Sequence, residues 1–146
     1  MNINGEIFSI EKVVASSEKD DLAIVKLKGE NFDPLPLKSN SPVGSEVTVI
    51  SHPEGRFYTV SKGIISRYYL QRSGKEKGSP RIAITADFAK GSSGSPVFDN
   101  TGSVIGVVAS TISIYYNKTE GIQRNLQMVV KSCIPTSSIL ALLNEE

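Results

Sequence analysis

The residues Gly91-Ser92-Ser93-Gly94-Ser95-Pro96 run without a spacer into a hairpin pattern, and this junction constrains the fold more than any other stretch. Pro96-Val97-Phe98 is followed by a turn, Asp99-Asn100-Thr101-Gly102, and then by Ser103 to Ala109 (SVIGVVA). A strand-like segment, Arg81 to Ala86 (RIAITA), comes just before. Serine is unreactive until a base takes its proton and backbone N–H groups receive the oxyanion that forms. Gly91, two residues ahead of Ser93, has no side chain to stop its N–H turning toward such an oxyanion. Gly94 leaves room for an acyl group. Taken alone, the same six residues also describe a flexible Gly/Ser loop. The hairpin fused to them is what favours a rigid turn presenting Ser93.

Strand signals dominate elsewhere. Ile7 to Val14 and Leu22 to Leu27 are short and rich in β-branched residues; Val47 and Val49, then Tyr58, Val60 and Ile64, show partial alternation. Ile82 and Ile84 share one face, as do Leu126, Met128 and Val130. Gly, Pro, Asn and Ser punctuate the gaps, which predicts an all-β sandwich or barrel. Only the end reads as helix, Ser137 to Asn144, with Ile139, Leu140 and Leu143 on one side and Thr136 as its cap. Residues 31–44 hold three prolines with apolar Phe32, Leu35 and Leu37 between them, the pattern of an extended connector between packed units.

Composition excludes several classes. With 146 residues there is enough chain for one domain with a real core. Lys plus Arg total 16 against 15 Asp plus Glu, so nothing favours a nucleic-acid or membrane-surface partner. The local cluster Arg67, Arg72, Lys75, Lys77 and Arg81, interrupted by Glu76, predicts a solvated hairpin loop. A single cysteine, Cys133, rules out an internal disulfide and a cysteine-based zinc site; its apolar setting predicts a buried thiol. No metal or other cofactor is implied. No run approaches the roughly 18 apolar residues of a membrane span, and no signal-peptide core opens the sequence, so the chain as written is expected in the cytoplasm. Asn117-Lys118-Thr119 fits a glycosylation sequon too common to indicate secretion.

Several segments together resemble the chymotrypsin-like, or trypsin-fold, serine peptidases, particularly the compact disulfide-free Deg type. They are Asp21 to Leu27 (DLAIVKL), Ser51-His52-Pro53-Glu54-Gly55, Val60 to Ser66 (VSKGIIS), Gly91 to Phe98 (GSSGSPVF), Gly102 to Ala109 and Cys133-Ile134-Pro135. The resemblance implies a double β-barrel: residues 1–30 a remnant of the first barrel, 31–44 the connector, 45–146 a complete second barrel with its C-terminal helix. It makes Ser93 the nucleophile of a peptide-bond hydrolase working through an acyl-enzyme. It gives the oxyanion hole to the N–H groups of Gly91 and Ser93, and makes Asp21, rather than Asp20, the acid that orients an imidazole. Without the resemblance, Asp21 also reads as a solvated turn carboxylate. Val108-Ala109-Ser110 would pair with an extended substrate. Asp87, six residues before Ser93, stands where trypsin-like members carry the acid of the primary pocket, though a structural role fits it as well.

Two departures qualify this. Ser92 replaces the aspartate that zymogen-activated relatives pair with a new N-terminus, which argues against activation by N-terminal cleavage. The only histidine, His52, follows Asp21 instead of preceding it and is expected to be a turn residue before Pro53. The expected chain is therefore a protease domain without its base, inactive as written. Three readings follow: a peptidase whose upstream portion is missing from this sequence, a pseudoprotease that captures extended peptides, or half of a split enzyme completed by another chain.

Overall fold

The computed structural model describes residues 4–72, 78–119 and 121–144. Two short strands, β1 (Ile10–Ser17) and β2 (Leu22–Leu27), pair antiparallel as a separate two-stranded sheet. The remaining strands are β3 (Glu46–Ser51), β4 (Thr59–Gln71), β5 (Ser79–Ile84), β6 (Pro96–Asp99), β7 (Val104–Thr119) and β8 (Ile122–Pro135). They close into a barrel in the order β3-β4-β5-β8-β7-β6, with every pairing antiparallel. Closure removes the sheet edges along this lower part of the barrel. One α-helix, α1 (Thr136–Leu143), follows β8 and touches β7, β8 and β1.

The barrel forms because alternation in its short strands puts β-branched residues on one face. Val47 and Val49 of β3, Ile82 and Ile84 of β5, Val97 of β6, Ile105 and Val108 of β7 and Cys133 of β8 are all buried together. Cys133 is fully buried, as the sequence predicted, and loss of hydration pushes its thiol pKa up to about 12. The thiolate form is thereby suppressed, so the group behaves as an apolar filler.

The alternation misreads several positions. Tyr58, Val60 and Ile64 are exposed, and Ile65 is the β4 residue that enters the core. Alternation holds from Thr59 to Ile65, but the inward face is that of Ser61, Gly63 and Ile65: β4 pairs with β3 without a shift there, and Gly63 packs too closely on Ala86 to admit a side chain. Leu126 and Met128 are exposed as well, on a part of β8 that extends beyond the barrel. Thr136 does not cap α1. Pro135 occupies that position, and the Thr136 hydroxyl is buried, donating to the Val104 carbonyl at 3.0 Å. The helix buries Ser138 and Leu142, whereas Leu143 is exposed. Of the basic cluster, Lys75 and Lys77 lie outside the described residues, and Arg81 is buried instead of solvated.

Residues 31–44 lie along the barrel, strapped to it mainly by polar groups. Lys38 N–H donates to the Val104 carbonyl at 2.9 Å and Val104 N–H to the Pro36 carbonyl at 2.8 Å. Tyr68 donates its hydroxyl to the Ser41 carbonyl at 2.7 Å. Phe32, Leu35 and Leu37 in this connector remain substantially exposed. The strap ends on Asp99, whose carboxylate meets Lys38 Nζ at 2.7 Å. Asp99 also accepts from the Thr101 N–H and hydroxyl and from the Ser103 N–H, which fixes the β6–β7 turn.

The Lys38 contact and these donors hold the Asp99 carboxyl well below the usual carboxylate range. A depressed folded-state pKa stabilises the fold above the unfolded value near ~3.9, and this contribution is lost as pH falls through and below it. Asp99→Ala is expected to cost about 2–3 kcal/mol at pH 7. In urea titrations the gap between variant and parent should narrow as pH is lowered toward 3.

Candidate active site

Within the turn between β5 and β6, residues 91–95 make backbone hydrogen bonds that spare two of their N–H donors. Ser92 N–H donates to the Ala89 carbonyl at 3.1 Å, Ser95 N–H to Ser92 at 3.1 Å and Gly94 N–H to Val108 at 2.8 Å. The N–H groups of Gly91 and Ser93 donate to nothing among the described residues. Gly91 sits at φ +94 and Gly94 at φ +82, conformations that a side chain disfavours. A Cβ on Gly91 would lie 3.0 Å from the His52 carbonyl oxygen and 3.3 Å from the Glu54 nitrogen. The Pro53–Gly55 turn therefore backs this loop directly, and Glu54 N–H donates to the Lys90 carbonyl at 2.8 Å.

Ser93 is exposed, and its hydroxyl donates to the Ala109 carbonyl at 3.2 Å. Ser92, its neighbour, points inward and is fully buried, with no partner for its hydroxyl among the described residues. His52 is half-buried between Phe57 and Tyr58, and its Nδ1 accepts the Tyr58 N–H at 3.0 Å. That bond leaves the proton of the neutral ring on Nε2. No hydrogen bond links the His52 ring to Ser93.

The strand beside Ser93 differs from the expected pairing segment at one residue. Val108 uses both backbone groups on the turn, its N–H donating to Ser95 at 2.9 Å and its carbonyl accepting from Gly94, so it has nothing left for a substrate. Its side chain is core. β6 pairs with β7 only up to Val107, and Ala109 is an extra residue in the β7–β8 register. The free edge of β7 therefore begins at Ala109 and includes Ser110.

Of the two roles open to Asp87, its surroundings fit the structural one: its carboxylate is 88% exposed and lies 3.2 Å from Lys131 Nζ. Lys131, mostly buried, also donates to the Phe88 carbonyl at 2.6 Å. Sequence reading passed over Lys131. The signal was present, because a lysine within Leu126 to Pro135 interrupts an otherwise uncharged strand that enters the barrel.

The Asp20-Asp21 doublet closes the β1–β2 hairpin, and its two members diverge. The Asp20 carboxylate accepts from the Ser17 hydroxyl at 3.1 Å and from the Ser79 hydroxyl. Its carbonyl accepts from the buried Arg81 Nη2 at 3.1 Å, and Arg81 Nη1 donates to Ser79 at 2.7 Å. Asp20 thus fastens the hairpin to β5. Asp21, at φ +56, is exposed, and its carboxylate makes no hydrogen bond or ion pair among the described residues. Asp20→Ala should lower unfolding stability by about 1.5–3 kcal/mol by removing a charged acceptor from two hydroxyls. Asp21→Asn should change it by less than about 0.5 kcal/mol. Parallel denaturant titrations check both.

Comparison with known proteins places this geometry. The trypsin-like peptidase domain family matches residues 2–107. The chain is 32% identical over 114 residues to the serine endoprotease DegS of Haemophilus influenzae, covering 76% of this chain and 33% of that protein. It is 31% identical over 136 residues to a probable periplasmic DegP-like serine endoprotease of Hahella chejuensis, covering 92% of this chain and 27% of the relative. These 146 residues thus span a third or less of either relative. The HtrA-type protease AlgW, solved with a decapeptide, superposes with a TM-score of 0.69 at 25% identity, over 91% of this chain and 39% of that one. Fold, sequence and neighbours agree: the chain belongs to the trypsin-like peptidase domain family and is similar to serine proteases of the HtrA/Deg kind.

Proposed function

We propose that the chain carries the nucleophile, the oxyanion donors and the peptide-docking edge of a serine endopeptidase. The observation that supports this most is that, within residues 91–95, the N–H groups of Ser92, Gly94 and Ser95 are used while those of Gly91 and Ser93, which flank the serine hydroxyl, are left free. Donors left free at a nucleophile are what a developing oxyanion requires. Ser93 Oγ attacks the peptide carbonyl, the two N–H groups bind the oxyanion, and the chain leaves as amine from an acyl-enzyme that water then hydrolyses. Ala109 and Ser110 hold the substrate backbone. Asp21, exposed and unpaired, is the acid free to orient an imidazole, whereas Asp20 is committed to structure.

The base comes from outside these residues. His52 is the sole histidine, and its Nδ1 is already engaged by Tyr58. Loss of the base costs a serine triad on the order of 10⁶ in kcat, roughly 8 kcal/mol. The polypeptide that supplies it belongs either to the same gene product or to a complementary chain. A second reading, a peptide-binding module that does not cut, is favoured by the free β7 edge beside a serine with no base.

Fluorophosphonate labelling separates these. The chain alone should label no more than Ser93→Ala. Fused to the histidine-bearing first-barrel strands of a DegS-type relative, it should label, lose labelling with Ser93→Ala, and slow by about 10³–10⁴ with Asp21→Asn. Labelling that survives Ser93→Ala would refute the nucleophile, and a fusion that folds yet never labels would favour the binding module.

A further inference from the structure

β7 and β8 run well past the barrel. β6 leaves β7 at Val107, and β5 leaves β8 at Lys131, so residues 112–119 and 121–130 form a two-stranded arm with no other strand beside it among the described residues. An isolated two-stranded ribbon is marginal in water. This one also carries apolar groups outward. Ile112 pairs with Val130 and Ile114 with Met128 on one face, which Tyr116 extends by the two-residue period. Ile112 and Ile114 are each 41% exposed, Met128 54% and Tyr116 75%.

The two edges of the arm differ. β8 is irregular, with an extra residue at Gln127, Asn125 at φ +57 and a charge at Arg124. β7 is unbroken in register from Ser110 to Thr119, and among the described residues its backbone there bonds only to β8. Alternate N–H and C=O groups along that edge are therefore unpaired. The segment Ala109 to Asn117 (ASTISIYYN) has no charge and no proline. Exposed edges that must resist strand addition normally carry such devices. From Ser110 outward to Asn117, beyond the extra residue at Ala109, this edge lacks them.

We propose that the peptide-docking edge at Ala109 continues along β7 onto the arm. Its preferred ligand is an extended, uncharged polypeptide segment of about eight to ten residues with apolar side chains at alternate positions. The unpaired backbone groups require a strand as occupant, the neutral segment disfavours a charged one, and Ile112, Ile114 and Tyr116 supply cross-strand apolar partners. Running antiparallel to β7, the residues that precede the one at Ser93 lie outward along the arm. This rests on the cleft reading above, which it extends from two or three residues to a full strand.

Fluorescence anisotropy with the 146-residue chain tests it, using an end-blocked decapeptide of alternating valine and serine and its C-terminal tetrapeptide. The decapeptide should bind about ten- to a hundredfold more tightly, from four or five added cross-strand pairs. Ile112→Lys/Ile114→Lys should abolish most of that gap, while Ile114→Val retains it. Thermal unfolding confirms that both variants fold. Equal affinities for the two peptides would overturn the extended edge and leave the cleft intact. If neither peptide binds, the cleft reading fails and the extension with it. A dimer in sedimentation that the double lysine variant dissolves and the decapeptide does not compete would assign the edge to a second copy instead.

Discussion

Two backbone hydrogen bonds at Val108 organise everything around Ser93. Gly94 donates to its carbonyl at 2.8 Å, and its own N–H donates to Ser95 at 2.9 Å. They lock the glycine turn to the strand that follows it, so Ser93 is presented by a rigid ladder and not by a loop. They also mark the limit of closure on β7: the last residue held by the turn is Val108, and the first with a free edge is Ala109. The proposed nucleophile and docking edge are thus consequences of one junction. A reacting serine needs its attack geometry fixed to within fractions of an ångström, and backbone pairing to a barrel strand supplies that better than side-chain contacts can.

The supports behind this junction are polar and act at a distance from it. Asp99 ties the β6–β7 turn to the strap of residues 31–44 through Lys38, while Arg81 and Ser79 fasten the β1–β2 hairpin through Asp20. Each uses a buried or half-buried charge whose donors or acceptors are supplied by neighbouring turns. Such groups are costly to leave unpaired, so they specify geometry as well as stability. They set the β1–β2 turn that carries Asp21 in one place against β5, as the acid role proposed for it would require.

Local patterns were legible where one strand has one buried face. β2 was readable at both ends, and Ile82 with Ile84 fell on the core side as alternation requires. On β4 alternation held but named the wrong face, because close packing at Gly63 turns Ser61, Gly63 and Ile65 inward and leaves Val60 and Ile64 outside. It failed on β8, where Leu126 and Met128 extend beyond the barrel and apolar character no longer means burial. At the site, the serine turn was legible because glycine spacing is a local property. At Asp87 two roles stayed open, since its environment depends on Lys131, 44 residues later, reaching across to it.

The sequence by itself determined that the chain is β-rich, that the glycine turn around Ser93 runs straight into a hairpin, and that the only imidazole lies in a turn before Pro53. Those are matters of spacing and residue chemistry within a few positions. Tertiary structure alone decided which N–H groups stay free, which of two adjacent aspartates is tied down, and where on β7 the edge opens. Each of these is fixed by what another segment of chain has already consumed, and hydrogen-bonding capacity, once used, cannot be read from the residue that offers it.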